Sequence, residues 1–521
     1  MTAKTSISPN EGLQALPAET AVAIVGAGFS GIAMGAKLRR AGREDYVVLE
    51  RGRDVGGTWR DNDYPGCACD VPSHVYSFSF APNPNWSSTF SPQSEIHDYL
   101  RDVARREGVI ARTRFGCEVQ QARWDDAEQR WVIRTPEGQL RARALVAAAG
   151  PFSEPVVPDV PGLQRFQGTV FHSSDWKHEH DLTGDRVAVV GTGASSIQFV
   201  PQIQPQVSRL HLFQRTAPWI TPKRARSVTE VEHRLYRVAP AVQRLMRWAI
   251  ATGRETFAIP MLQARRAELI RGVALRHLRS QVSDPELRRK LKPEYAPGCK
   301  RILISNDYYP SLQRPNVEVL TEGVVEVREG SVVGSDGSER EVDTIIFGTG
   351  FNVTEPPIAR RVIGGDGQSL ADRWAAEGMQ AHRGTTVAGY PNLFVLLGPN
   401  TGLGHNSVML MAEAQADYAL QAVERLDREA IGALEPRREA QDHWNASVQR
   451  LSEGTVWTSG GCASWYLDSH GRNTTIWPHF STTFRRALRT FRADEYVFEP
   501  PAKEGPAPAD VPEPTPAATA A

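Results

Sequence analysis

The stretch "AVAIVGAGFSGIAMGAKLRRAGREDYVVLE", residues 21–50, decides the fold. Ala21 to Val25 is a short apolar run, glycines follow, and small residues at helical spacing continue to Arg40. Gly42 stops that helix, and a second apolar run, "YVVLE", closes on Glu50. The order is strand, turn, helix, strand. Within it, "GAGFSG" sets Gly26, Gly28 and Gly31 at G-x-G-x-x-G spacing, which supplies a tight turn, close approach to a pyrophosphate and close helix packing. Glu50 ends the next strand 19 residues after Gly31, where a carboxylate binds ribose hydroxyls. A dinucleotide unit is the expectation, in place of a glycine turn without a ligand.

The same sequence of events returns at Arg186 to Val190, continues through "GTGASS" with Gly191, Gly193, Ser195 and Ser196, and ends in "LHLFQ" at 210–214. Ser196 stands where a third glycine or alanine would be, and serine is small enough for close packing. In the register of Glu50 the second unit has Gln214, followed by Arg215 and Thr216. A carboxylate there would repel a ribose 2′-phosphate, whereas an amide beside a guanidinium accepts one. Opposite unit charges near a surface attract by roughly 4 kcal/mol at about 4 Å, against about 1 kcal/mol in bulk water, so the swap favours NADPH over NADH. One turn for FAD and one for NADPH makes a hydride relay.

A chain of 521 residues exceeds a single core and implies at least two domains. The fold class is α/β, with two dinucleotide-binding (Rossmann-like) domains and a helical insertion in the NADPH domain. Residues 21–160 and 385–499 are read as a discontinuous FAD-binding domain, and 161–225 with 296–384 as the NADPH-binding domain. Residues 1–20 read as a flexible leader, and the Pro/Ala-rich 500–521 as a disordered tail. Residues 226–295 carry Arg, Leu and Ala at helical spacing and form the insertion. Its arginines raise the alternative of a membrane-surface helix, but interrupted apolar positions and overall neutrality make a solvated basic face the expectation.

Lys plus Arg and Asp plus Glu number 60 each, so no overall field recruits nucleic acid, and a small-molecule function is the default. No apolar run reaches the roughly 20 residues that span a bilayer, which argues against stable membrane insertion. Five cysteines, Cys67, Cys69, Cys117, Cys299 and Cys462, are odd in number and include no C-x-x-C. That argues against a disulfide framework and a thiol-redox pair, and points to a reducing cytoplasm. His178 and His180 in "HEH" lack a third ligand at suitable spacing, so no metal is expected. Two late strands, "DTIIFGTGF" at 343–351 and "NLFVLLGPN" at 392–400, end in glycines that let backbone approach a ligand. The helical pattern beyond His405 begins directly after the second, so its N-terminus faces whatever binds there and favours negative charge.

Two further segments carry a resemblance. "FQGTVFHSSDW" at 166–176 fits F-x-G-x-x-x-H-x-x-x-W, and "GGTWRDNDYPGCACD" at 56–70 fits G-G-x-W-x-x-x-x-Y-P-G-x-x-x-D. These resemble the fingerprints of Baeyer–Villiger monooxygenases, within the class B flavin monooxygenases, and the likeness extends through "FQRTAPW", "YAPGCKR" and "GPNTGLGHNS". Lys177 departs from the Pro or Asp usual after the tryptophan. The resemblance implies FAD and NADPH as cofactors and a flavin C4a-peroxide that inserts one oxygen atom beside a ketone carbonyl, giving an ester or lactone. The partners implied are a ketone and O2.

By the same resemblance Arg301 in "GCKR" stabilises the anionic peroxide and Asp70 orients it, a role suited to a group that stays charged. Trp59 and Tyr76 line the flavin, with Arg51, Thr58 and Val119 among its contacts. Lys300 assists the 2′-phosphate, and Trp457 closes over NADP. Phe166, Gly168, His172 and Trp176 form a hinge where the two domains meet. Trp176 favours ketones, because relatives that oxygenate sulfur or nitrogen end the motif in Tyr or Phe. The alternatives are such a sulfur or nitrogen oxygenase, which would use the protonated adduct, and a non-catalytic flavin-binding sensor. The class of ketone and the oligomeric state stay open.

Overall fold

The computed structural model describes residues 12–502. The outer parts of the leader and the tail, 1–11 and 503–521, lie outside the described residues. The opening stretch folds as read: strand Glu19–Val25, helix Phe29–Arg40, strand Tyr46–Glu50. Along the first strand Val22 and Ile24 enter one core while Ala23 and Val25 enter another. Successive side chains point to opposite faces of a strand, and both faces here are covered, so the run is apolar throughout.

That strand is central in a large mixed sheet. Its parallel neighbours are Tyr46–Glu50 on one side and Gly138–Ala147 on the other. Thr113–Phe115 continues the first side. The antiparallel strands Arg130–Thr135 and Gln121–Asp125 continue the second, and Leu393–Val395 pairs with the end of Gly138–Ala147. Helix Met409–Arg428 packs with Phe29–Arg40 on one face. A second, wholly parallel sheet has the order Val317–Leu320, Arg209–Phe213, Arg186–Val190, Thr344–Phe347, Thr169–His172. In each sheet the strand before the glycine turn pairs with the next strand in sequence on one side and with a sequence-distant strand on the other, the switch point at which open α/β sheets bind ligands.

Three boundaries differ from the sequence reading. Leu13 and Leu16, assigned to the flexible leader, pack against the first sheet, and the Leu13 amide donates to the Thr113 carbonyl at 2.9 Å. Ala502, assigned to the disordered tail, donates its amide to Gln129 Oε1 at 2.6 Å. Residues 357–381, assigned to the second unit, belong to the first: Val362–Ile363 pairs with Gln121–Asp125, and Ala359, Leu370 and Trp374 join its core. Apolar burial decides this partition, and no linker composition marks it.

The chain passes between the sheets twice, at 150–165 and at 348–356. The two passages run antiparallel and are joined: Val156 donates its amide to Gly350 at 2.9 Å, and Asn352 donates to Glu154 at 3.0 Å.

The insertion consists of helices Glu230–Val238, Pro240–Glu255, Ala258–Leu262, Glu268–Gln281 and Pro285–Lys290. Thr229 and Glu232 form a capping box at its start. The expected solvated basic face is present, with Arg234, Arg237, Arg244, Arg265 and Arg266 exposed, but exposed apolar residues share it. Helix Pro240–Glu255 buries only Gln243, Arg247 and Glu255, and it turns Leu245, Met246 and Trp248 outward. Among the described residues no helix is long and apolar enough to cross a membrane.

Candidate active site

Both glycine turns open onto one cavity of about 1070 Å³, which also reaches the crossing segments and the start of helix Met409–Arg428. The first turn is built for an apposed ligand. Gly26 has φ +103°, and a Cβ there would stand 2.8 Å from the Ala148 carbonyl oxygen. A Cβ on Gly31 would stand 1.8 Å from the Gly26 carbonyl oxygen, so the helix can begin this close only with glycine. At Gly28 the nearest atom to an added Cβ lies 3.8 Å away, and the space on that side belongs to the cavity. Glu50 also lines it; its carboxylate accepts from the amides of Ala27 and Gly52, both at 2.7 Å, and from Arg60 at 2.8 Å. Arg51, Thr58, Trp59, Tyr76 and Val119 share this end of the cavity. Trp59 Nε1 donates to the Tyr76 hydroxyl at 3.0 Å, which fixes the two rings edge to face.

The second turn repeats the pattern. Gly191 has φ +106°, and a Cβ would lie 2.5 Å from the Gly348 carbonyl oxygen. Gly191, Gly193 and Ser195 line the cavity. Ser196 is fully buried behind them, against Gly348, where close packing needs a small residue. Arg215, Thr216 and Lys300 line the same end. Burial and the neighbouring Arg215 charge hold the Lys300 ammonium below its ordinary pKa. Two cations that raise each other's energy are a donor set suited to a dianion. Gln214 takes no part: it is buried and donates to the Lys290 carbonyl at 2.9 Å. The sequence register identified the position, but only Arg215 and Thr216 face the cavity.

The same cavity is lined by Asp70 and Arg301. Arg301 Nε donates to Asp70 Oδ2 and Nη2 to Oδ1, each at 2.6 Å, a bidentate pair. About 35 % of the Arg301 side-chain surface and 24 % of that of Asp70 stay open, and both residues line the cavity. The Asp70 charge raises the Arg301 pKa above the ordinary guanidinium value. Burial opposes the charge on Asp70, but Arg301 outweighs it and holds the carboxyl below the usual range.

The fingerprint 166–176 lies outside this cavity, beside the double crossing. His172 ends the edge strand of the second sheet, with Nδ1 2.8 Å from Ser174 Oγ and its ring 5.6 Å from Phe351. Its Nε2 is buried near the Gly350 backbone, and burial keeps its pKa below the ordinary imidazole value. A Cβ on Gly168 would stand 2.1 Å from the Asp343 carbonyl oxygen, and Phe166 packs directly over it. Trp176 packs between Phe171 and Phe199, the latter on the helix that follows the second turn. Lys177 pairs with Asp175 at the surface. His178 lies 2.9 Å from Asp63, and His180 3.0 Å from Asp185.

Two readings need correction. Trp457 does not face the cavity: it is 1 % exposed within a cluster of Met261, Cys299 and Val456. Trp465 and Tyr466, eight and nine residues further on, line the cavity. The cysteines include a pair, Cys299–Cys462, bonded across 163 residues of sequence. Parity of the cysteine count concealed it, since Cys67, Cys69 and Cys117 stay free and buried. The bond ties the segment bearing Lys300 and Arg301 to the loop bearing Trp465 and Tyr466. Sequence reasoning also missed Arg254, whose guanidinium is buried close enough to Asp70 and Arg301 to feel both charges: burial lowers its pKa and Asp70 opposes that.

Comparison with known proteins agrees with this geometry. Residues 23–247 match the family model described as pyridine nucleotide-disulphide oxidoreductase. A Baeyer–Villiger monooxygenase from Streptomyces coelicolor is 50 % identical over 486 residues, covering 92 % of this chain and 93 % of its own. The chain belongs to the Baeyer–Villiger monooxygenase family. A second such enzyme, from Pseudomonas aeruginosa, is 47 % identical over 91 % of this chain and 90 % of its own. Among solved structures, cyclohexanone monooxygenase from Rhodococcus sp. Phi1 bound to NADP+ superposes with a TM-score of 0.83. It is 28 % identical and covers 93 % of this chain and 100 % of its own. An oxidized steroid monooxygenase bound to NADP gives a TM-score of 0.81 at 28 % identity, over 93 % of this chain and 100 % of its own.

Proposed function

We propose that Asp70 and Arg301 are the catalytic pair of this Baeyer–Villiger monooxygenase, and that it converts a ketone, O2, NADPH and a proton into an ester or lactone, NADP+ and water. The bidentate Asp70–Arg301 contact, both of whose residues line the cavity shared by the two glycine turns, carries the assignment. The donor sets fit the two cofactors. Gly26, Gly28, Gly31, Glu50, Arg51, Thr58, Trp59, Tyr76 and Val119 would hold FAD. Gly191, Gly193, Ser195, Arg215, Thr216 and Lys300 would hold NADPH, with Ser196 packed behind the turn. In this reading the first sheet is the FAD domain and the second the NADPH domain.

FAD, reduced by NADPH, supplies the activation of dioxygen when bound. The protein's own part is electrostatic. Asp70 occupies two of the Arg301 donors and fixes the plane of the guanidinium, which leaves its remaining N–H groups for the cavity. A guanidinium keeps its charge at all working pH values, so it steadies negative charge on the reacting oxygen without giving that oxygen a proton. Attack on a ketone carbonyl requires that unprotonated state; transfer to sulfur or nitrogen requires the opposite. Removing one such preorganised donor costs about 2.7 to 4 kcal/mol of barrier. A demand for NADPH suits a cytoplasmic site of action.

The test is incubation of the purified holoenzyme with NADPH, 18O2 and a panel of cyclic, aliphatic, aryl and steroid ketones. One labelled oxygen atom in an ester or lactone is the expected product. NADPH-dependent peroxide release with no ester from any substrate would overturn the proposal, and sulfoxides or hydroxylamines as preferred products would favour the sulfur or nitrogen alternative.

A further inference from the structure

The insertion carries a helix packed against the usual sense of amphipathicity. On Pro240–Glu255 the side chains that anchor it to the body are polar. Arg247 Nη1 donates to the carbonyls of His74 and Ser77, both at 2.8 Å, and Gln243 Nε2 donates to that of Asn83 at 2.5 Å. Glu255 accepts from Asn406 Nδ2 at 2.7 Å and from the Ser481 amide at 2.9 Å. Buried polar groups with this many partners lock the orientation of the helix, because any rotation would strand them.

The face left outward is apolar. Leu245 is 62 % exposed and Trp248 64 %, with Met246 beside them. The preceding helix, Glu230–Val238, packs against this one and adds Val231, Leu235 and Val238 at i, i+4 and i+7, a single stripe in which Val238 is 86 % exposed. Exposed Arg234, Arg237 and Arg244 interleave with these residues. On the helical pair the outward charges are Arg234, Arg237 and Arg244 against Glu230, since Glu232 pairs with Arg226 and Arg247 and Glu255 are buried.

A contiguous apolar stripe on a monomer marks a surface that something covers. A second copy paired about a two-fold axis would set the arginine-rich patch against itself, like charge against like. A bilayer bearing anionic headgroups matches both features: it takes Trp, Leu and Val at the acyl boundary and pairs the guanidiniums with phosphate. We propose that the helical pair 230–255 is a peripheral docking surface for anionic phospholipid membranes, on which the protein adsorbs without spanning.

The test is co-sedimentation of the holoenzyme with vesicles of phosphatidylcholine alone and of phosphatidylcholine mixed with about a third phosphatidylglycerol. Partition onto the anionic vesicles is expected to be at least about tenfold stronger. Leu245→Ser with Trp248→Ser should abolish it, and Arg234→Gln with Arg244→Gln should remove the preference for anionic lipid, while flavin content and melting temperature stay at wild-type values. Failure to bind the mixed vesicles, equal binding to both kinds, or binding untouched by these substitutions would overturn the proposal. So would a solution dimer that the Trp248→Ser variant dissociates, which would assign the face to a second copy. No substrate enters the experiment, so its result stands apart from the oxygenase reading.

Discussion

Arg301 meets Asp70 through two parallel hydrogen bonds of 2.6 Å, although 231 residues separate them in sequence. The contact draws together the end of the "YPGCACD" loop and the segment that follows the helical insertion, so it forms only when the parts of the chain around the cavity have folded. It also leaves the guanidinium aimed and permanently charged.

Arg301→Ala removes that charge from the cavity. Ester formation should fall about 100- to 1000-fold, with NADPH consumption continuing and its electrons recovered as hydrogen peroxide. Product chromatography alongside a peroxide assay reads both, and unchanged ester formation would exclude Arg301 from the chemistry.

Asp70 fixes the sign of a pH effect on stability. Its folded-state pKa lies below the ordinary value of about 3.9, because the Arg301 charge outweighs burial. A carboxyl depressed on folding stabilises the protein above its unfolded pKa and loses that contribution as pH falls through the folded one. The difference in melting temperature between wild type and Asp70→Asn should therefore be flat from neutral pH down to about pH 4 and close only below it. A difference that closes between about pH 5 and 7 would contradict the pairing.

At the other end of the cavity, Arg215→Gln combined with Lys300→Gln should raise KM for NADPH at least about tenfold, since each charge-assisted hydrogen bond is worth roughly 1.5–3 kcal/mol. KM for NADH should hardly move. Parallel losses for both nucleotides would mean that the two cations do not read the 2′-phosphate.

Thiol titration checks the cysteine pairing. Denatured without reductant, the protein should show three thiols, and after reduction five. In the native state all three free thiols should react slowly, since they are buried and the Cys67 thiol, for one, is pushed up to about 12 by that burial. Five thiols in the unreduced denatured chain would remove the Cys299–Cys462 bond.

What could be read from the sequence was set by how local each determinant is. The glycine turns were legible because a Cβ at Gly26 or Gly31 collides with backbone a few residues away or on the adjoining strand, a constraint that spacing expresses. Arg301 and Asp70 were not legible from spacing; resemblance supplied them, and only the folded chain brings the two side chains together. Periodicity announced that helix Pro240–Glu255 has two faces but not which one is buried, and three polar anchors reversed the usual answer. Counting cysteines by parity could not reveal one bond among five residues, because geometry and not number selects Cys299 and Cys462. Neither the sequence around Trp457 nor that around Trp465 says which one faces the cavity; burial tells them apart.

The stitched double passage between the sheets restricts how the two halves can move. Sliding one past the other would rupture the Val156–Gly350 and Asn352–Glu154 hydrogen bonds together, and a swing about them would have to part Asp70 from Arg301 and strain the Cys299–Cys462 bond. Any displacement of one nucleotide site against the other is therefore resisted both at the crossing, where the His172 ring rests on Phe351, and at the charged pair inside the cavity.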